Sequence, residues 1–266
     1  MTTRPALVDQ RPPGRHLEAV AIDVARLAAG LVREQVGRAA ATGTKSTLTD
    51  VVTETDVRSE TLIRRELLER CPGSSIVGEE LSDERGTNRV GWVVDPIDGT
   101  VNFLYDLPVV SVSIAATLHG QTVAGAVVDV VRDEVFSAST ESGARRNGEP
   151  MSASLATDLE QALVGTGFAY DAIRRREQTG IVSRVLPTCR DIRCMGSAAL
   201  NLCWVGCGRL DAYYEQDTKP YDYAAGAFIA REAGATVELP RDNALDMTIA
   251  AGSAVFTPFR QLVAGE

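Results

Sequence analysis

Apolar positions repeat with helical spacing in two early stretches. Between residues 16 and 39, Leu17, Val20, Val24, Leu27, Leu31 and Val32 recur every three or four positions, the stripe that a helix lays on a core. Residues 56 to 70 continue the theme with Val57, Ile63, Leu67 and Leu68. The period then drops to two. Val109 to Leu118 and Thr122 to Val130 alternate around His119-Gly120-Gln121, a hairpin signal, and Glu134 to Ser139 extends that sheet. Val90-Gly91-Trp92-Val93-Val94 is one apolar run, as in a buried strand. Beyond Asn147-Gly148 the segments interleave: strand (Ala162 to Gly165), helix (Ile173 to Val185), strand, helix (Ser197 to Val205), strand (Leu210 to Tyr214) and helix (Asp222 to Ala233). This order predicts an α/β protein with an N-terminal α+β lobe over residues 16–150 and a C-terminal α/β lobe over 151–266. The first fifteen residues carry Pro5, Pro12 and Pro13 and no apolar h-region, so residues 1–15 read as a disordered tail rather than a signal peptide.

Composition narrows the classes. A chain of 266 residues with 44% hydrophobic content can bury a large core, in one unit or two closely packed lobes. A net charge of −9 argues against generic binding to nucleic acid or to an anionic membrane, and no stretch is apolar enough to span a bilayer. Lys45 and Lys219 are the only lysines among 27 basic residues. Five cysteines without metal-type spacing suit a reducing cytoplasm, with Cys203 and Cys207 expected on one buried helix face.

The chemistry concentrates in four short groups. Asp95-Pro96-Ile97-Asp98-Gly99-Thr100 directly follows the apolar run, so two carboxylates leave a buried strand separated by one rigid Pro-Ile step. Mg²⁺ takes oxygen ligands from a few carboxylates and from substrate phosphate, so Asp95 and Asp98 suit it, with the Ile97 carbonyl available beside them. Gly99 and Thr100 offer backbone N–H groups where the chain turns, which suits a phosphate. A turn rich in Asp, Pro and Gly is the plain alternative. Gly78-Glu79-Glu80 makes Glu79 a candidate third carboxylate, though alone it reads as a helix start or a solvated loop acid. In Asp50-Val51-Val52-Thr53-Glu54-Thr55-Asp56, preceded by Lys45-Ser46, Asp56 can cap the following helix and still serve a site. Asp222, within Tyr221-Asp222-Tyr223-Ala224-Ala225-Gly226, falls near a helix N-terminus, where a carboxylate is favoured in any case.

Taken together these residues resemble the inositol monophosphatase family of Mg²⁺-dependent, Li⁺-sensitive phosphatases, from about residue 17 to 260. The signatures are Gly78-Glu79-Glu80, the Asp95 to Thr100 hexamer with Asn102-Phe103, and Asp222-x-Ala224-Ala225-Gly226 ending in Glu232-Ala233-Gly234. Gly165-Thr166-Gly167-Phe168, Gly196-Ser197-Ala198-Ala199 and Asp211-Ala212-Tyr213-Tyr214-Glu215 look most like the bacterial inositol-1-monophosphatase branch. The resemblance implies a layered αβαβα sandwich of the inositol monophosphatase / fructose-1,6-bisphosphatase type, commonly a homodimer. It implies Glu79, Asp95, Asp98, Asp222 and the Ile97 carbonyl as ligands of two to three Mg²⁺. Asp56 and Thr100, with Glu79, would handle the attacking water, and the Gly99 and Thr100 amides would hold phosphate. Ala198, Glu215 and Asp222 would contact the inositol ring, and Lys45 and Asp50 would lie on a loop near the weakest metal. The chain departs from the family at Tyr221, where Trp is usual, and carries Lys219 where some relatives have His.

The expected reaction is hydrolysis of myo-inositol 1-phosphate, with a phosphorylated polyol as the only partner required. Phosphoryl transfer through a loose in-line transition state asks mainly for positioning and charge neutralisation, so no covalent nucleophile is needed. His16 and His119 fall outside every motif, which leaves metal-bound water as the proton source. The same metal centre serves sister phosphatases acting on histidinol phosphate, a sugar bisphosphate, a nucleotide 3′-phosphate or NADP. A regulatory binding protein is the alternative from another class, disfavoured because every metal carboxylate is retained.

Overall fold

Residues 13–38, 40–44 and 51–266 are described by a computed structural model. The first half contains α1 (Pro13–Arg33), β1 (Ala41–Thr44), β2 (Val51–Thr53), α2 (Glu54–Arg70), β3 (Ser75–Gly78), β4 (Val90–Asp98) and α3 (Thr100–Leu104). The antiparallel run β5 (Ser111–Leu118), β6 (Gln121–Asp129), β7 (Glu134–Ser139), β8 (Gly143–Arg146) and β9 (Glu149–Pro150) follows. The second half contains β10 (Leu163–Thr166), α4 (Ala172–Val185), β11 (Asp191–Cys194), α5 (Ala198–Gly206) and β12 (Ala212–Gln216). It closes with α6 (Pro220–Glu232), β13 (Ala235–Glu238), β14 (Met247–Gly252) and α7 (Ser253–Ala264).

Strands β3 to β9 form one seven-stranded sheet in sequence order, parallel only at β3/β4. The other main sheet has the order β11-β10-β12-β14-β13, with β14 antiparallel to both of its neighbours. Helices α1 and α2 cover the outer face of the large sheet through Leu17, Val24, Ile63 and Leu67, which pack on Trp92, Ile114 and Val128. Helices α4 and α7 cover the outer face of the small sheet through Val185, Phe256 and Phe259. Between the sheets lie α5 and α6, whose Leu200, Leu202, Ala225 and Ile229 share one cluster with Val127 and Phe136 of the large sheet and Tyr213 and Ala250 of the small one. The result is five layers, αβαβα. Gly226 lets the two central helices touch, since a Cβ there would meet the Leu202 Cβ at 2.9 Å.

Several boundaries differ from those the sequence pattern suggests. Helix α1 begins at Pro13 rather than after residue 15, because proline in a first helical turn forfeits no hydrogen bond; residues 1–12 lie outside the described residues. It ends at Arg33 rather than near 39, giving way to turns that include Gly37 in the left-handed region at φ 73°. Strand β4 does not stop at Val94. It runs on to Asp98, with a register irregularity against β5 between Asp95 and Asp98 where Pro96 cannot donate to the ladder. Helix α6 starts at Pro220, two residues before Asp222. Cys203 is buried in α5, whereas Cys207 caps that helix and is only half-buried. The hairpin between β5 and β6 turns on His119 and Gly120, both at positive φ, as a two-residue turn requires.

Candidate active site

The irregular end of β4 is where the acids leave the sheet. Gly78 pairs with Val94 in the parallel β3/β4 ladder, so the next residue of β3's chain, Glu79, emerges beside Asp95. Asp95 accepts a hydrogen bond from the Ile97 N–H at 3.1 Å, and Ser59 of α2 donates to the Pro96 carbonyl at 3.1 Å. Those two contacts fix the Pro-Ile step. Asp95, Ile97 and Asp98 are all buried to within 7% of full exclusion.

Asp98 is held from the other half of the chain. Its Oδ2 accepts from Ser197 Oγ at 2.5 Å, from the Ala199 N–H at 2.8 Å and from Ser111 Oγ at 3.2 Å, while Oδ1 accepts from the Ala198 N–H at 3.2 Å. Ser197 is the N-cap of α5, so the carboxylate sits on the positive end of a helix that belongs to the small-sheet half. Burial nevertheless raises the Asp98 carboxyl to about 6, against the lowering effect of those four donors. Oδ1 keeps capacity for another partner, and that is what a metal ligand needs.

The turn after Asp98 needs glycine. Gly99 has φ 100°, and a Cβ there would stand 2.8 Å from the Val109 carbonyl and 3.0 Å from that of Gly196. Thr100 follows, its Oγ1 lying 3.1 Å from Asp56 Oδ1 and 3.1 Å from the Ile97 carbonyl. Asp56 is fully buried as the third residue of α2, where its Oδ2 accepts from the Thr53 N–H at 2.9 Å and from Thr53 Oγ1 at 2.5 Å. The capping role and the site role of Asp56 therefore coexist in one side chain.

Asp222 repeats that device as the third residue of α6, with its Oδ2 accepting from the Lys219 N–H at 2.5 Å. Burial, then the charge of Glu79, holds its carboxyl well above the usual carboxylate range. Glu215, on β12, is pushed up to about 7 by burial, while the Tyr213 hydroxyl donates to its Oε2 at 2.7 Å and opposes the rise. Glu79, Asp95, Ile97, Asp98, Gly99, Thr100, Ala198, Glu215 and Asp222 all line one cleft of about 1720 Å³ between the two sheet systems. Asp56 reaches it through Thr100. Lys45 and Asp50 lie outside the described residues.

The donor set is that of a hard cation, with carboxylates and a main-chain carbonyl and no histidine or thiol among these residues. Among the described residues no group of three acids lies close enough together to form a ligand cluster by itself. Like charges about 4 Å apart repel by roughly 4 kcal/mol at an effective dielectric near 20, so carboxylates gathered on one cleft are best balanced by a cation. Burial raises the carboxyls of Asp98 and Asp222, and a cation beside them would oppose that rise. The residues fit Mg²⁺.

Some residues of this machinery carry weak signals in the sequence. Ser111 and Tyr213 are a strand serine and a strand tyrosine, and only pairing between distant elements turns them into partners of Asp98 and Glu215. Ser197 is more visible as a helix cap before an apolar run. In the Arg174-Arg175-Arg176 run, which reads as a solvated face, Arg174 instead forks onto Asp217 at 2.9 and 3.2 Å and pairs with Glu177 at 2.8 Å. Arg175 Nε donates to the Ala169 carbonyl at 2.6 Å.

Comparison with known proteins gives a consistent picture. Residues 15–262 match the sequence model described as the inositol monophosphatase family. An inositol-1-monophosphatase of Mycobacterium leprae is 46% identical over 238 residues, covering 86% of this chain and 78% of that protein. The solved structure of Mycobacterium tuberculosis SuhB is 41% identical with a TM-score of 0.82, covering 97% of this chain and 98% of that one. The extragenic suppressor protein suhB of Bartonella henselae superposes with a TM-score of 0.86 at 28% identity, over 93% of this chain and 98% of that one.

Proposed function

The chain belongs to the inositol monophosphatase family, and from that premise we propose that it hydrolyses myo-inositol 1-phosphate to inositol and inorganic phosphate using two to three Mg²⁺. The observation that carries the reading is the convergence of Asp95 and Asp98 from β4, Glu79 from the loop after β3 and Asp222 from α6 on one cleft that Thr100 and Asp56 also serve. Mg²⁺, when bound, supplies the charge that neutralises the phosphoryl oxygens and makes water a competent nucleophile.

The protein's own groups do the positioning. While the Thr100 hydroxyl donates to Asp56, its oxygen lone pairs can accept from a water and so aim that water at phosphorus. Buried Asp56 in turn holds Thr100 in a single orientation. The amides of Gly99 and Thr100 receive phosphate oxygens, and Gly99 permits the left-handed turn that presents them. Water oxygen bonds to phosphorus as the ester P–O bond breaks; of that water's two protons one remains on the product phosphate and the other balances the alkoxide, passed through neighbouring water because His16 lies on α1 and His119 in the β5–β6 turn. Glu215, oriented by Tyr213, and Ala198 form the wall that faces the polyol, so ring hydroxyls are the groups they recognise.

The same reading includes inhibition by Li⁺, a homodimer and a cytoplasmic setting. Five free thiols support a reducing compartment, and none of the described helices is long and apolar enough to cross a membrane. The deciding experiment measures phosphate release from inositol phosphates, sugar phosphates, nucleotides and histidinol phosphate with Mg²⁺ and with chelator. Turnover led by inositol 1-phosphate and abolished by chelator is expected; turnover indifferent to chelator would refute the reading.

A further inference from the structure

Glu79 leaves the end of β3 in a loop, Glu79-Glu80-Leu81, with no regular secondary structure around it. A ligand on such a segment needs something else to hold its backbone. Helix α2 provides it through Glu60, which is fully buried one turn beyond Asp56. Glu60 Oε2 accepts from the Glu80 N–H at 2.7 Å, and Oε1 accepts from the Leu81 N–H at 3.2 Å. Arg64, the next turn along, donates from Nε to Glu60 Oε1 at 2.8 Å and from Nη2 to the Leu81 carbonyl at 3.1 Å. Among the described residues, the Glu60 carboxylate bonds only to Glu80, Leu81 and Arg64.

A buried ion pair of this kind is often a neutral structural feature. Two facts give this one a direction. Its bonds are spent on main-chain groups of one irregular segment rather than on the core. Moreover, Gly78, the residue before Glu79, leaves the room it occupies: a Cβ there would lie 2.1 Å from Glu60 Oε1 and 3.0 Å from Arg64 Nη2. Gly78 is not among the glycines at positive φ, so space and not backbone conformation is what the site asks of it.

We propose that Glu60, locked by Arg64, is a positioning residue that fixes the backbone on which Glu79 reaches the metal. The proposal rests on Glu79 being a Mg²⁺ ligand, as in the reading above. Outer-shell partners of this sort typically change metal affinity by roughly 10–100-fold when removed.

The test titrates Mg²⁺ without substrate, by calorimetry and by melting temperature, on wild type, Glu60→Gln, Gly78→Ala and Glu18→Gln. In Glu60→Gln the amide NH₂ must face either the Glu80 N–H or Arg64, so no orientation satisfies every partner. Its Mg²⁺ midpoint is expected to rise by roughly 10-fold or more. Gly78→Ala displaces the same carboxylate sterically, should move the midpoint the same way, and covers the case where Glu60→Gln does not fold. Glu18 is a buried acid far from the cleft, accepting from Ser137 Oγ at 2.9 Å and Ser142 Oγ at 2.6 Å. Its Gln variant should lose stability in chelator yet keep the wild-type midpoint. A purely structural Glu60 would behave as Glu18 does, and an unmoved midpoint in both Glu60→Gln and Gly78→Ala overturns the proposal. Absence of any Mg²⁺ response in wild type would instead overturn the metal reading, and this proposal with it.

Discussion

Asp98→Asn should abolish phosphatase activity and at the same time make the metal-free protein more stable. Burial lifts the Asp98 carboxyl from its ordinary 3.8 to about 6, so holding it ionised at neutral pH costs the fold about 3 kcal/mol, at 1.4 kcal/mol per pH unit. Asparagine carries no such cost. With its oxygen toward Ser197, Ser111 and the Ala199 N–H, its NH₂ faces the Ala198 N–H; because that contact is a long one at 3.2 Å, the orphaned donor falls at the low end of the roughly 1–3 kcal/mol such a group costs, about 1 kcal/mol. The net gain is roughly 2 kcal/mol, or about 4–8 °C in a protein of this size. Because the folded pKa is raised, the native state binds more protons between 3.8 and about 6, and wild-type stability falls as pH rises through that window. Lowering the pH from 8 to 5 should therefore halve the ionisation cost, to about 1.5 kcal/mol, and shrink the gap between variant and wild type from roughly 2 to roughly 0.5 kcal/mol. Melting curves in chelator at both pH values, with phosphate release in saturating Mg²⁺, test both halves. A variant that melts below wild type at pH 8 would show that Asp98 is held there for stability, and one that turns over normally would remove it from the metal set.

Mg²⁺ should raise the melting temperature of wild type, by about 2.7 kcal/mol of added stability at a hundredfold excess over Kd, and Asp95→Asn should blunt that rise; identical curves in metal and chelator would contradict a shared carboxylate site. Glu215→Gln should impair inositol phosphate more than a simple aryl phosphate, since leaving a buried hydroxyl unpaired costs about 1–3 kcal/mol and an aryl phosphate presents none; equal losses in kcat/KM would free Glu215 of a specificity role. Lys219, exposed at the cleft rim just before α6, should lose only ground-state binding on Lys219→Ala, so KM should rise more for a polyol bisphosphate than for the monophosphate with kcat little changed. Unchanged KM values on both substrates would make it a solvated surface residue.

The parts of the fold written in local periodicity were legible from sequence. Helix α2 and strand β7 lie where the pattern of Ile63-Leu67 and Glu134–Ser139 places them: α2 repeats its buried positions at helical spacing, and β7 is a short run bounded by turns, although it is buried on both faces. What escaped lacks a local signature. Strands β13 and β14 and helix α7 come after the last motif, and β14 is buried on both faces, so its Met247–Gly252 shows no alternation. Helix α7 contains Pro258, which argues against a helix in any local reading although the fold accommodates it. In the site, the acids were visible because aspartates beside Pro and Gly after an apolar run are conspicuous. Their holders were not. Ser111, Ser197, Glu60 and Arg64 acquire roles only when segments up to 99 positions apart are folded together, as Ser197 and Asp98 are.

Asp56, Asp98 and Asp222 come from different parts of the chain, yet each sits at a helix N-terminus: the third residue of α2, the capped start of α5 and the third residue of α6. The arrangement serves two needs that pull in opposite directions. A metal site must hold its acids in place before the metal arrives, and acids without a metal repel. Helix ends meet the first need by supplying directed N–H donors, and they soften the second by about 0.3–1 kcal/mol each. That is well short of the roughly 4 kcal/mol by which a close pair of like charges repels. Burial works against the charge as well, and it is the first cause of the raised carboxyls of Asp98 and Asp222. The backbone thus settles where the oxygens stand, while their charge is left for a cation to balance. Holding the β4 residue Asp98 at the start of α5 and placing Asp222 on α6 also means that the charge balance is struck at the layer between the two sheets, so a metal held there would tie both sheets to a common centre.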